Sequence, residues 1–141
     1  MSDAILLHHH LQRSASRTPA RTAVVCAGQR HSFGEVLQRS RALAATLQRQ
    51  GVERGDRVAL FLDNGIEFVV GVYAILLAGG VFMPVNPLTK HDKLAYMLAD
   101  ARARALLTHA TLGEVWEPAL AGSPHTRVVV VAGTTDQDTG R

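Results

Sequence analysis

Few residues of this 141-residue chain stand at spacings that chemistry uses. His8, His9 and His10 are adjacent, but successive side chains on a helix point about 100° apart, so three neighbours cannot converge on one ion. They are read as surface histidines, and the seven histidines combine with neither Cys nor carboxylates at metal spacing. Asp63 and Glu67 are four apart and share one helix face if that segment is helical. Such a pair can work as acid and base, but by spacing alone it is a solvated edge. Ser14, Ser16, Ser40 and Ser123 have no His and Asp partners at motif spacing. There is no G-x-G-x-x-G after a strand, no Walker A loop and no G-x-S-x-G elbow. No catalytic residue and no metal site is assigned.

The elements that would position chemistry are easier to read. Apolar residues make up 47%, enough for one buried core, and the length fits one domain. The net charge of +3 comes from 15 basic residues, nearly all arginine, and 12 acidic ones. They are scattered, so they describe a solvated surface and no nucleic-acid partner is expected. The one cysteine, Cys26, sits in an apolar run as a small hydrophobe and suits a reducing cytoplasm. The N-terminus carries Asp3 and a histidine run where a secretory leader would have a basic then apolar stretch. Phe68 to Val85 is uncharged and reaches the lower limit of about 18 residues for a membrane span. Gly79-Gly80 and Pro84 interrupt it, so it reads as a helix followed by a buried strand, with no transmembrane segment.

Along the chain, strands and helices alternate. Asp3 caps a helix over Ala4 to Ala15 with Leu7 and Leu11 on one face. Thr22 to Ala27 is a strand, Gly28-Gln29-Arg30 a turn, and His31-Ser32 a short return. Ser32-Phe33-Gly34-Glu35 has the capping-box form, opening a helix with Val36, Leu43 and Leu47 in one stripe and stopping at Gly51. Arg57 to Leu62 is a strand. Asn64 caps a helix over Ile66 to Ala78, ended by Gly79-Gly80, and Val81 to Val85 is a second strand, making a βαβ unit. A helix capped at Thr89 buries Leu94, Met97 and Leu98. Ala105 to His109 is a strand, Thr111 to Leu120 a helix and Arg127 to Ala132 the last strand. A polar tail covers 133–141.

Gly51-Val52, Gly55-Asp56-Arg57-Val58, Asn64, Glu67, Ala78-Gly79, Pro84 and Asn86-Pro87 together carry a resemblance. This stretch resembles the N-terminal part of the AMP-forming adenylate-forming enzymes, which include acyl-CoA synthetases, acyl-AMP ligases and the adenylation domains of peptide synthetases. The resemblance covers roughly Ala4 to Ala132 and is strongest from Gly51 to Leu98. It implies an α/β fold: a mainly parallel sheet flanked by helices, an incomplete N-terminal subdomain of an AMP-dependent synthetase or ligase spanning 1–132.

The resemblance also implies the chemistry. The family converts a carboxylic acid to an acyl-adenylate with ATP and Mg, then commonly forms a thioester with CoA. Its phosphate-cradling loop ends in Pro-Lys-Gly, and its C-terminal domain supplies a catalytic Lys. Neither is in this sequence. Gly133-Thr134-Thr135-Asp136 has a similar composition, but it lacks the Pro-Lys, and Asp136 and Asp138 would repel phosphate. This chain alone is therefore expected to be inactive and to bind no cofactor, as part of a truncated or split ligase. Its partner would be the remainder of that ligase; the alternative is a non-catalytic docking module completing a split enzyme. Uncovered edges predict self-association. In CoA-using relatives a basic residue soon after Asn-Pro touches CoA phosphates. Leu88 departs from that pattern, and Lys90 is the nearest cation and the one site residue assigned.

Overall fold

The computed structural model describes residues 6–133. In chain order the elements are α1 (Leu7–Arg17), β1 (Thr22–Cys26), β2 (Gln29–Ser32), α2 (Phe33–Arg49), β3 (Arg57–Phe61), α3 (Ile66–Leu77), β4 (Val81–Val85), α4 (His91–Asp100), β5 (Ala105–His109), a 3-10 turn (Ala110–Leu112), α5 (Gly113–Leu120) and β6 (Val128–Ala132). Strands β3 to β6 form one parallel sheet in the order β4-β3-β5-β6, and β1 and β2 form a separate antiparallel hairpin. This is the expected α/β fold. The uncharged run from Phe68 divides between α3 and β4, and no described helix is long and apolar enough to cross a membrane.

Alternation along each strand feeds two cores. Val58 and Leu60 of β3, Ala105 and Leu107 of β5 and Val128 of β6 join residues of α2 and α3 in one cluster. Ala59 and Phe61 of β3 and Leu106 of β5 join Leu94 and Leu98 of α4 and Ala119 of α5 in another. Successive strand side chains point to opposite faces, so a sheet covered on both sides must be apolar at every position. That explains the unbroken apolar runs from Val58 to Phe61 and from Ala105 to Leu107. A third small cluster packs α1, through Leu11 and Ala15, on Val36 and Leu37 of α2. Helix α3 approaches the sheet closely at Gly71, where a Cβ would come within 2.6 Å of Leu60 Cδ2.

Three helices end the same way, and each leads into a strand of the sheet. After α2, Gly51 takes φ 99°, its N–H bonds Gln48 O, and Val52 N–H reaches back to Leu47 O. After α3, Gly79 takes φ 82°, with Gly79 N–H on Leu76 O and Gly80 N–H on Ile75 O. After α4, Arg102 takes φ 50°, with Arg102 N–H on Ala99 O and Ala103 N–H on Leu98 O. These paired bonds satisfy the last carbonyls of each helix and require a left-handed residue. The turns also interlock: Gly55 N–H donates to Gly79 O at 2.8 Å, Val81 N–H to Asp56 O at 2.8 Å, and the Asp56 carboxylate accepts Glu53 N–H at 2.7 Å.

Several local expectations need correction. Helix α1 starts at Leu7, which is 51% exposed, so only Leu11 of the expected pair is buried; Asp3 lies outside the described residues. The hairpin turns at Ala27-Gly28, not Gly28 to Arg30. Cys26 pairs directly with Gln29, and the two-residue link needs φ > 0 at both positions, here 50° and 79°. The apolar stripe of α2 is broader than expected, with Leu37, Ser40 and Ala44 buried beside Val36 and Leu47 and with Leu43 half-buried. The residue before α3 is Gly65, not Asn64, and Lys90, not Thr89, precedes α4; neither makes a side-chain cap. The Thr111–Leu120 segment splits into a 3-10 turn and α5.

The Ser32 cap is present, its Oγ accepting Glu35 N–H at 3.1 Å. Glu35 does not return the bond. Its carboxylate instead accepts from His31 Nδ1 at 2.6 Å and from Arg39 at 3.4 Å. The His31 hydrogen bond, partly opposed by burial, holds the Glu35 carboxyl below its ordinary value of 4.5. A depressed folded-state pKa contributes stability above the unfolded value and loses it as pH falls through the folded one. The stability gap between the parent chain and Glu35→Gln should therefore be present at pH 7 and shrink below about pH 4.5, on urea unfolding at both pH values. At Gly79 a Cβ has room, 3.4 Å from Arg54 Cγ, so the penalty there is backbone strain. Gly79→Val should cost about 1 kcal/mol or more, read as a lower urea midpoint; an unchanged midpoint would contradict the left-handed cap.

Candidate functional site

In the order β4-β3-β5-β6 the chain leaves β3 in one direction along the sheet and leaves β5 in the other. Helix α3 packs on one face and α5 on the opposite one. The connections therefore diverge and leave a crevice between the C-terminal ends of β3 and β5, the place where open α/β sheets bind ligands. A cleft of about 160 Å³ lies there, lined by Leu62, Asp63, Asn64, Glu67, His109 and Thr111. Asp63 and Glu67 do meet at this cleft, but only Glu67 is helical, in the first turn of α3 where the helix dipole favours a carboxylate. Asp63 is exposed in the preceding loop.

The floor and wall are held by hydrogen bonds. Thr108 is 1% exposed, and its hydroxyl donates to Phe61 O at 2.8 Å, bridging β5 to β3 beneath the crevice. His109 Nδ1 accepts Thr111 N–H at 3.1 Å, which leaves the proton of the neutral ring on Nε2. Its carbonyl accepts Trp116 Nε1–H at 3.1 Å. Gly133, at φ 80°, lies so close that a Cβ would come within 2.5 Å of the His109 ring. Beside this cleft a second, wider one of about 350 Å³ opens between α2 and the ends of β5 and β6, walled mainly by Leu43, Val70, Leu107 and Val130, with Arg39 and Glu67 among its polar groups.

What this arrangement can do is limited. Among the described residues, the small cleft is lined by two carboxylates and no Lys or Arg, and it is below the roughly 300 Å³ of an ordinary ligand site. The wider cleft is mainly apolar, with Arg39 and Glu67 as its charged groups. The described residues include no group of three His, Cys, Asp or Glu placed for a metal. His8 and His9 stack edge-on at 4.6 Å, and burial, helped by His9, pushes the His8 pKa down. Ser40 is buried in α2, and Ser123 is buried with its Oγ 2.8 Å from Thr126 Oγ1, which in turn donates to Ala103 O. Lys90 is exposed at the start of α4 and lines neither cleft; following β4, it stands on the same C-terminal side of the sheet. Beyond Gly133 the tail lies outside the described residues. His109, Thr108 and Thr111 were not singled out by sequence. Their only signal was position at the end of a strand, and it becomes meaningful once β3 and β5 are known to be neighbours.

Over residues 11–140 the sequence matches the family model of the AMP-binding enzymes. It is 40% identical over 111 residues to a linear gramicidin synthase of Brevibacillus parabrevis, covering 79% of this chain and 1% of the relative. It is 39% identical over 98 residues to a long-chain-fatty-acid–CoA ligase of Bacillus subtilis, covering 70% of this chain and 18% of the relative. Among solved structures, a long-chain-fatty-acid–CoA ligase from Archaeoglobus fulgidus superposes with a TM-score of 0.87 at 26% identity, over 96% of this chain and 29% of that one. The chain thus spans between 1% and 29% of the length of these three proteins.

The crevice floor can be tested directly. Thr108→Val keeps the shape but leaves Phe61 O without that donor. It should destabilise the fold by about 1–3 kcal/mol in urea titration, and a neutral result would show that the bridge between β3 and β5 carries no weight.

Proposed function

The chain belongs to the family of AMP-binding enzymes, and from that premise we propose that it is the opening α/β unit of the N-terminal domain of an acid-activating ligase. The reaction is ATP-dependent conversion of a carboxylic acid, a fatty acid in the first instance, to an acyl-adenylate, followed by thioester formation with CoA. The observation that carries this is the superposition of nearly the whole chain on a fatty-acid–CoA ligase. This unit contributes scaffold rather than chemistry. Its crevice offers carboxylates where a triphosphate needs cations, so the phosphate loop, the Mg ion and the activating lysine belong to other parts of the ligase. Lys90 is the residue of this unit proposed to meet a CoA phosphate, from an exposed position able to reach an incoming anion. The single cysteine and the reaction both suit the cytoplasm.

A second reading has its own support. The 40% identity to a gramicidin synthase favours an amino acid as the activated acid and a carrier-protein thiol as the acceptor. A non-catalytic module that docks to the rest of a split ligase remains the alternative to a continuous enzyme.

ATP–pyrophosphate exchange tests the scaffold reading. The pure 141-residue chain should give none above a no-enzyme control with fatty or amino acids, and exchange above control would overturn it. The reading frame downstream tests the ligase reading. A continuation encoding Thr-Ser-Gly-x-Thr-Gly-x-Pro-Lys-Gly supports a continuous enzyme, and its absence supports the docking module.

A further inference from the structure

Arginines far apart in the sequence come together where the parallel strands begin. Strands β3, β5 and β6 pair in register at Val58, Ala105 and Val128. The residue before each of these is an arginine: Arg57, Arg104 and Arg127. Backbone bonds tie the three into a row, with Arg104 N–H on Arg57 O at 2.8 Å and Arg127 N–H on Arg104 O at 3.0 Å. Neighbouring strands lie about 4.8 Å apart, so three positive residues stand abreast within roughly 10 Å. Like charges abreast on adjacent strands repel. Among the described residues none of the three makes an ion pair with a carboxylate. The carboxylate of Asp56, next to Arg57, is turned to Glu53 N–H instead. Helix ends offset part of the charge. Arg57 Nη1 donates to Ala101 O at 3.4 Å, after α4, and Arg104 Nη2 lies over Gly51, after α2, 2.9 Å from where a Cβ would stand. Each helix C-terminus carries about half a negative charge, so roughly two of the three positive charges stay uncompensated. Arg57 and Arg127 are exposed and Arg104 is half-buried.

We propose that this arginine row binds a small, soluble, multiply charged oxyanion of the phosphate class. Guanidinium groups suit that chemistry, because each presents a planar fork of N–H donors that matches two oxygens of one phosphate. The length of the row favours a compact anion. An extended acidic peptide sets carboxylates on one face about 7 Å apart, so it would meet the row with little more than two charges. A phosphate-class anion concentrates its charge within the same span. The anion also relieves a repulsion that the folded chain otherwise carries, so binding should stabilise the fold. Exposed Arg102, in the left-handed cap two residues before Arg104, adds a further positive charge at this edge. The site lies at the N-terminal edge of the sheet, opposite the crevice, and is independent of which reaction the family segment serves.

Calorimetric titration of the 141-residue chain with inorganic pyrophosphate, at an ionic strength fixed with chloride, tests this. Binding should saturate. Arg127→Gln changes an exposed side chain and should weaken binding about tenfold or more. Lys93→Gln removes the same charge from an exposed position on α4 and should leave binding unchanged. The urea midpoint of the unmodified chain should be higher in pyrophosphate than in chloride of equal ionic strength, a readout that needs no variant. Four results would each overturn the proposal: no saturable binding, equal losses in Arg127→Gln and Lys93→Gln, tighter binding of a hexaglutamate peptide than of pyrophosphate, or binding to phosphatidic-acid vesicles without binding to free pyrophosphate.

Discussion

Burial of β3 and β5 on both faces is the constraint from which the rest of the structure follows. Val58 to Phe61 and Ala105 to Leu107 are almost completely excluded from water. Neither strand can show water a side, so helices must cover both faces, and α2 with α3 on one face and α4 with α5 on the other do so. At roughly 25 cal/mol per Å² of apolar surface, the burial of these side chains outweighs any single polar contact in the chain. Close approach comes next. Helix α3 reaches the sheet because position 71 has no Cβ to strike Leu60.

The same constraint fixes where side chains are free to vary. A strand buried on both faces can present polar groups only past its ends. Strand β5 illustrates the boundary. Leu107 is packed, Thr108 is buried with its hydroxyl spent on Phe61 O, and His109 emerges into the crevice. The crevice is thus a product of strand order, and its acidic, histidine-bearing lining is what the loops happen to supply there.

Much of this was legible in the sequence. The bounds of β4 and β5 and most of β3 and β6 could be read because short uninterrupted apolar runs between Gly, Asp and Pro fit little besides a buried strand. The Ser32 cap was legible because Ser-x-x-Glu before an apolar stripe has a physical meaning at a helix start. The misses share a cause: backbone geometry adopted by residues that do not advertise it. Ala27 and Arg102 take positive φ, which sequence reading assigns to glycine first, and Gly65 rather than Asn64 precedes α3. The site was less legible than the fold. Asp63 and Glu67 were noticed for their spacing, yet they meet at the crevice through a loop and a first turn. Thr108 and His109 gained meaning only from the pairing of β3 with β5, separated by more than forty residues of sequence.

The two ends of the sheet divide the work. Gly51, Gly79 and Arg102, the three left-handed caps, all precede strands, so they lie at the N-terminal edge. There Gly55, Asp56, Gly79 and Val81 lock to one another through the backbone. These are largely the residues that carry the family resemblance, and geometry explains why: each fulfils a backbone requirement that few other residues meet at that position. The C-terminal edge holds Asp63, Glu67, His109 and Lys90, none of which fixes the fold. Most residues of the resemblance stand at the first edge, and those at the second, Asn64, Glu67 and Asn86-Pro87, carry no catalytic signature, so the resemblance identifies the scaffold firmly and says little about the chemistry. That is why one fold can superpose on a fatty-acid–CoA ligase while the sequence aligns equally with a peptide synthetase.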